Sequence, residues 1–214
     1  MSVTKCIFFD LDGTLTDSGP GLIESFTYIF QKYGKSLDGV DLRYLVGPPI
    51  IQALEPYFDS NEQLMAALGE FRVHYSERML TGNSLYSGVV EMLRALKSMG
   101  YVLGIVTGKP QDSAEAVVEY FNIREYFDGV YGTLNRGKTT EKIETLRRAL
   151  ELHNCDPAQA VMIGDRMFDL EAAALGGTDG IGVLWGYGER EELSRYNCLL
   201  LASNPMEIVE HFRT

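Results

Sequence analysis

Apolar residues along this chain follow two patterns, and the two occupy different stretches. Lys5–Phe9, Tyr101–Val106, Gly129–Tyr131, Ala160–Ile163 and Gly180–Trp185 are short, nearly continuous apolar runs. Such runs predict strands buried on both faces, because a strand with one wet face alternates instead. Between them the spacing is helical. Val89, Leu93 and Leu96 share one face before Gly100, Pro110 opens a helix reaching about Tyr120, and Ile143, Leu146 and Leu150 mark another. Strands alternating with helices predict an α/β fold, a Rossmann-like doubly wound parallel sheet covered on both faces. Functional groups are then expected at the carboxyl ends of the strands.

From residue 17 to residue 81 no strand pattern intervenes. Leu22, Phe26, Ile29, Phe30 and Tyr33 repeat at helical spacing before Gly34, and Leu64, Leu68, Phe71 and Tyr75 do the same. Gly47-Pro48-Pro49 makes a rigid turn within the stretch. The expected organisation is an α/β core of residues 1–16 and 82–214, with an all-helical cap, 17–81, inserted after the first strand's loop. A cap in that position is expected to act as a lid, with Arg43 near its proline turn as a substrate contact.

Composition narrows the partners. The formal net charge is −11, which repels phosphate backbones and makes nucleic-acid polymers poor candidates. A small phosphorylated metabolite remains compatible, since a few local cations and a metal outweigh distant charge. The three cysteines, Cys6, Cys155 and Cys198, are widely separated. They offer no zinc pattern and fit reduced thiols in a cytoplasmic protein. Neither a signal peptide nor a membrane span is expected, and the protein is expected to work as a monomer or a homodimer.

Candidate chemistry sits where the predicted strands end. Asp10 and Asp12, two apart in Asp10-Leu11-Asp12-Gly13-Thr14, can face one side while Leu11 points into the core. Thr107-Gly108-Lys109 follows the second run, and a hydroxyl with free N–H groups at a helix start forms an anion site. Lys142 stands in the first turn of a helix, where only a nearby anion makes a lysine favourable. Asp165 and Asp169, in Gly164-Asp165-Arg166-Met167-Phe168-Asp169, can turn toward one site, the first as a Mg²⁺ ligand and the second to orient a lysine. Gly132-Thr133-Leu134-Asn135-Arg136-Gly137-Lys138-Thr139 also satisfies a phosphate-loop pattern. That reading leaves Asp10 and Thr107 without a role. His74, His153 and His211 form no readable catalytic group.

In this order the segments resemble the haloacid dehalogenase superfamily, in its phosphoglycolate phosphatase-like and 5′-nucleotidase-like branch with a helical cap. The Leu42-Arg43 and Gly47-Pro48-Pro49 segments and the Gly182–Gly188 tail belong to the same likeness. The resemblance implies that Asp10 attacks phosphorus and becomes an aspartyl-phosphate, and that Asp12 serves as acid and then base. It implies Mg²⁺ on Asp10, Asp165 and the Asp12 carbonyl. Thr107 and Gly108 would hold phosphate oxygens, Asp169 would position the lysine, and that lysine would be Lys142, with Lys138 the runner-up. The implied activity is Mg²⁺-dependent hydrolysis of a small phosphoric monoester, phosphoglycolate-like. The alternatives are a nucleoside 5′-monophosphate phosphatase, a phosphosugar mutase, a phosphate-loop nucleotide hydrolase and a binding protein without turnover.

Overall fold

The computed structural model describes residues 4–134 and 142–213. Six parallel strands form one sheet: β1 (Cys6–Phe9), β4 (Val102–Pro110), β5 (Gly129–Thr133), β6 (Ala160–Gly164), β7 (Asp179–Val183) and β8 (Leu200–Ala202). Their order is β5-β4-β1-β6-β7-β8. Two short strands, β2 (Thr16–Asp17) and β3 (Ser84–Leu85), pair separately. All residues of β1 and β6 are buried, as continuous apolar runs require in a sheet covered on both faces. Cys6 and Phe8 of β1 lie in a core cluster with Ile143, Leu146, Ala149 and Leu150 of α6 (Lys142–Leu152) and Ala172 and Ala173 of α7 (Met167–Gly176). Ile7 and Phe9 alternate to the opposite face and are equally buried.

The register brings three strand ends level. Phe9 stands opposite Ile105 of β4 and Ile163 of β6. Asp10, Thr107 and Asp165 therefore follow one or two residues past the same rung. The chain winds from β1 through β4 to β5, then crosses to β6 and continues through β7 to β8. The sheet order reverses between β1 and β6, the kind of point at which open α/β sheets place their ligands.

Contacts divide the chain into two compact units, Met1–Thr16 with Leu85–Thr214, and Asp17–Ser84. The second is helical: α1 (Gly19–Lys32), α2 (Ile50–Leu54) and α3 (Asn61–Arg78), with 3-10 turns at Leu42–Leu45 and Glu55–Tyr57. Its core joins Leu22, Phe26, Ile29 and Phe30 to Leu64, Ala67, Leu68 and Phe71, with the Phe26 and Phe71 rings 4.7 Å apart.

Two local readings change. The strand carrying Thr107 does not end there; β4 runs on to Pro110 with a register irregularity, and α5 (Gln111–Tyr120) starts one residue after Pro110. Thr107 and Gly108 thus belong to a bulged strand end, not to a helix start. The last strand, β8, and the helix after it, α9 (Pro205–Arg213), were not anticipated. β8 has three residues and one strand neighbour, too short to show a period.

Candidate active site

Asp10 is the first residue beyond β1, and its N–H donates to Ile163 O at 2.8 Å, which fixes it between the two central strands. Immediately after it the chain turns back. Gly13 takes φ +86°, Leu15 and Thr16 both donate to Leu11 O, and Gly13 N–H donates to Thr16 O at 2.7 Å. A β-carbon on Gly13 would lie 2.4 Å from Asp165 Oδ2, so the turn needs glycine both for its dihedral and for room. Leu11 is fully buried.

Two carboxylates meet one lysine, and a third lies beside them. Lys142 Nζ lies 2.8 Å from Asp10 Oδ2 and 2.5 Å from Asp169 Oδ1. Asp169, fully buried, spends its other oxygen on the Arg166 N–H at 3.0 Å, where it caps α7. Asp165 accepts from Thr14 Oγ1 at 3.2 Å and from the Tyr187 N–H at 2.8 Å. Carboxylate oxygens of Asp10, Asp165 and Asp169 lie within 4.8 Å of one another. Gly164 makes this packing possible, since a β-carbon there would lie 2.0 Å from Asp169 Cγ.

Charge in this cluster is unbalanced. Burial pushes the Asp10 carboxyl up to about 6 against the pull of Lys142. Burial, with Asp169 and Asp10 nearby, pushes Asp165 up to about 7. Burial works against the Lys142 ammonium, but Asp10 and Asp169 outweigh it and hold its pKa above the ordinary lysine value. Asp10 Oδ1 is buried and has no hydrogen-bond partner among the described residues. A buried acceptor left unmade is costly.

The other expected residues are placed as follows. Asp12, on the turn, is partly exposed and paired with Lys109, whose Nζ lies 2.8 Å from Asp12 Oδ2 and 3.1 Å from Oδ1. Thr107 is buried, and its hydroxyl accepts from the Lys109 N–H at 3.2 Å. Gly108 is exposed, with open space where a β-carbon would stand. Arg43 lies in the helical unit, on the 3-10 turn Leu42–Leu45, and is exposed. Lys138 lies outside the described residues, as do all positions 135–139 of the phosphate-loop pattern.

Two supporting contacts are not visible in the sequence, although Trp185 lies in the Gly182–Gly188 tail. Trp185 Nε1 donates to Thr14 O at 3.0 Å, and Glu192 Oε1 accepts from both Arg166 Nε and the Met167 N–H, at 2.9 and 2.7 Å. These clamp the turn after β1 and the loop after β6. Their sequence separations leave no local signal.

The profile of the haloacid dehalogenase-like hydrolases matches residues 7–183. The chain belongs to that family. It is 33% identical over 192 residues to the tyrosine-protein kinase PtkA of Mycobacterium tuberculosis, covering 89% of this chain and 66% of that protein. The chain thus spans just under two thirds of that relative's length. It is 33% identical to a 5′-nucleotidase of Pseudomonas aeruginosa, covering 87% of this chain and 86% of that one. A solved haloacid dehalogenase-like hydrolase from Streptococcus pneumoniae superposes with a TM-score of 0.91 at 32% identity, covering 99% of this chain and all of that one. Among the described residues no helix is long and apolar enough to cross a membrane.

Members of this family generally use Mg²⁺, and the residues present suit it. The donors are hard carboxylate oxygens, excess negative charge is buried around one ammonium, and Asp10 Oδ1 lacks a partner among the described residues. Asp169 is already committed to Lys142 and the α7 cap, which leaves Asp10 and Asp165 as the open side-chain donors. One consequence is measurable without catalysis. Without metal, Asp10 and Asp165 bind protons more tightly folded than unfolded, so stability falls as pH rises from about 4 through about 7. Mg²⁺ at about 100 times its Kd adds roughly 2.7 kcal/mol where those carboxylates are ionised. Scanning calorimetry is therefore expected to show a larger Mg²⁺-induced rise in Tm at pH 8 than at pH 5. A rise of equal size at both would contradict the assignment.

Proposed function

We propose that this protein is a Mg²⁺-dependent phosphoric monoester hydrolase acting on a small phosphorylated metabolite through an aspartyl-phosphate on Asp10. The observation that carries the reading is Asp10 Oδ1, a buried carboxylate oxygen with no hydrogen-bond partner among the described residues, at the carboxyl edge of the sheet, while the other oxygen is held by Lys142. An oxygen in that state is oriented and poorly solvated, as a nucleophile requires. Membership in a hydrolase family, together with the likeness to a 5′-nucleotidase, supports phosphate esters as the substrate class.

In this reading Asp10 attacks phosphorus. The Asp10–phosphorus bond forms, the ester P–O bond breaks, and Asp12 gives its proton to the departing oxygen. Water then attacks phosphorus and passes a proton to Asp12, and the Asp10–phosphate bond breaks to release inorganic phosphate. Lys142 offsets charge on Asp10 and on the phosphoryl oxygens, Asp169 keeps the lysine in place, and Thr107 and Gly108 offer a hydroxyl and an N–H to the phosphoryl group. A divalent cation held by Asp10, Asp165 and the Asp12 carbonyl, when bound, supplies further neutralisation of phosphoryl charge.

The test is phosphate release from phosphoglycolate, nucleoside monophosphates, sugar phosphates and an aryl phosphate, with Mg²⁺ or EDTA. Turnover that needs Mg²⁺ supports the reading, and the preferred substrate names the branch. Turnover only with a bisphosphate activator, releasing little free phosphate, would favour a mutase. The helical unit is proposed to set substrate choice, because the core groups address the phosphoryl end alone. Arg43→Ala is expected to change the ranking of metabolite substrates several-fold while leaving aryl phosphate hydrolysis within about 2-fold. Equal loss on every substrate would refute a specificity role.

A further inference from the structure

Lys109 has no part in the steps above, yet its side chain is only 4% exposed and its ammonium donates to both oxygens of Asp12. Burying a lysine costs solvation and rotamer freedom, so its position calls for a cause. The backbone of β4 supplies it. Val106 stands opposite Tyr131, and the next pairing is Pro110 opposite Thr133, four steps along β4 against two along β5. The surplus makes a bulge, a device that re-aims side chains next to functional sites.

The bulge is held from outside. A β-carbon on Gly132 would lie 2.6 Å from Lys109 O and 2.7 Å from Gln111 Cα, so only glycine admits this approach. The Gly132 N–H donates to Gln111 Oε1 at 2.8 Å, and Gly132 O accepts from Arg148 at 2.7 Å. Gly132, which opens the phosphate-loop pattern in the sequence, thereby serves to shape the segment carrying Thr107 and Lys109.

We propose that Lys109 is a positioning residue that holds the Asp12 side chain in the orientation from which its carboxyl form, carrying the proton taken up from the attacking water of the previous cycle, gives that proton to the leaving group. The proposal rests on the aspartyl-phosphate reading above. A carboxylate held by both oxygens on a buried ammonium cannot rotate freely, while Asp12 itself stays partly open. Losing that hold matters most where the departing oxygen needs a proton. An alkoxide needs one, and a nitrophenolate leaves without it.

The experiment compares kcat/KM for an alkyl monophosphate and for nitrophenyl phosphate, with Mg²⁺, in wild type, Lys109→Met, Lys109→Arg, Asp12→Asn and the Lys109→Met/Asp12→Asn double variant. Lys109→Met is expected to lower the alkyl value by about 10²-fold and the nitrophenyl value by less than about 5-fold. Lys109→Arg, which can also grip a carboxylate by two oxygens, is expected to recover much of the alkyl loss. On the Asp12→Asn background Lys109→Met is expected to add nothing, the coupling of two groups acting as one. Circular dichroism and thermal melting report that each variant is folded. An equal loss on both substrates, no loss on either, or a double variant slower than Asp12→Asn overturns the positioning role while leaving the aspartyl-phosphate intact. Wild type inactive toward both esters contradicts the mechanism itself.

Discussion

Asp10→Asn lowers phosphate release from every monoester by about 10⁴-fold or more, because an amide oxygen cannot replace the attacking carboxylate. The size of the loss follows from geometry. Asp10 has a buried oxygen, unpartnered among the described residues, beside Lys142 at the strand end where β1 meets β4 and β6. The same substitution removes one negative charge from a buried cluster that holds three carboxylates and one ammonium, so the variant without metal is expected to melt higher than wild type at pH 8 and to gain less from Mg²⁺. Rates by phosphate assay and melting by calorimetry check both halves. A variant that keeps its fold and more than about a tenth of wild-type turnover would exclude Asp10 as nucleophile.

Lys142→Met is the second large effect, and it strikes stability as well as rate. Lys142 bridges Asp10 and Asp169, and with Asp165 these put three buried carboxylates around it. Removing one partner of a buried ion pair leaves uncompensated charge and costs about 3–5 kcal/mol, roughly 10 °C in Tm for a chain of this size. Turnover is expected to fall by about 10²- to 10³-fold as phosphoryl charge loses its neutralising cation. The pH dependence carries the sign. The lysine's pKa is raised in the fold, so its stabilising contribution is present at every pH below about 10. The cost of its loss should therefore be greatest where Asp10 and Asp165 are ionised, above about 7, and smaller at pH 5, where they take up protons. Denaturation curves of the metal-free variant at pH 5 and pH 8 measure this, and an equal loss at both would contradict it.

Much of this fold could be read along the chain because its central strands are buried on both faces. Cys6–Phe9 and Ala160–Gly164 show unbroken apolar runs with an aspartate at the end of each. The helical stretch Asp17–Ser84 could be read from the spacing of Phe26, Ile29 and Phe30 on α1 against Leu64, Leu68 and Phe71 on α3. Other features depend on partners far away in sequence. The Asp12–Lys109 pair spans 97 positions and the Thr14–Asp165 bond 151. The β4 bulge exists only relative to β5, and its cause, the closeness of Gly132 to Lys109 O, cannot be seen in either segment alone. Lys109 was present in the Thr107-Gly108-Lys109 motif, but an isolated lysine after a strand reads equally well as a solvated surface residue.

The most direct test of the aspartyl-phosphate is to quench the protein during turnover, reduce it with borohydride and sequence the peptides by mass spectrometry. Borohydride reduces an acyl phosphate on aspartate to homoserine. Homoserine is expected at position 10, only when Mg²⁺ and a hydrolysed monoester are both present, and not in Asp10→Asn. Steady phosphate release with unmodified Asp10, or homoserine at Asp12 or Asp165 instead, would contradict Asp10 as the residue that carries the phosphoryl group.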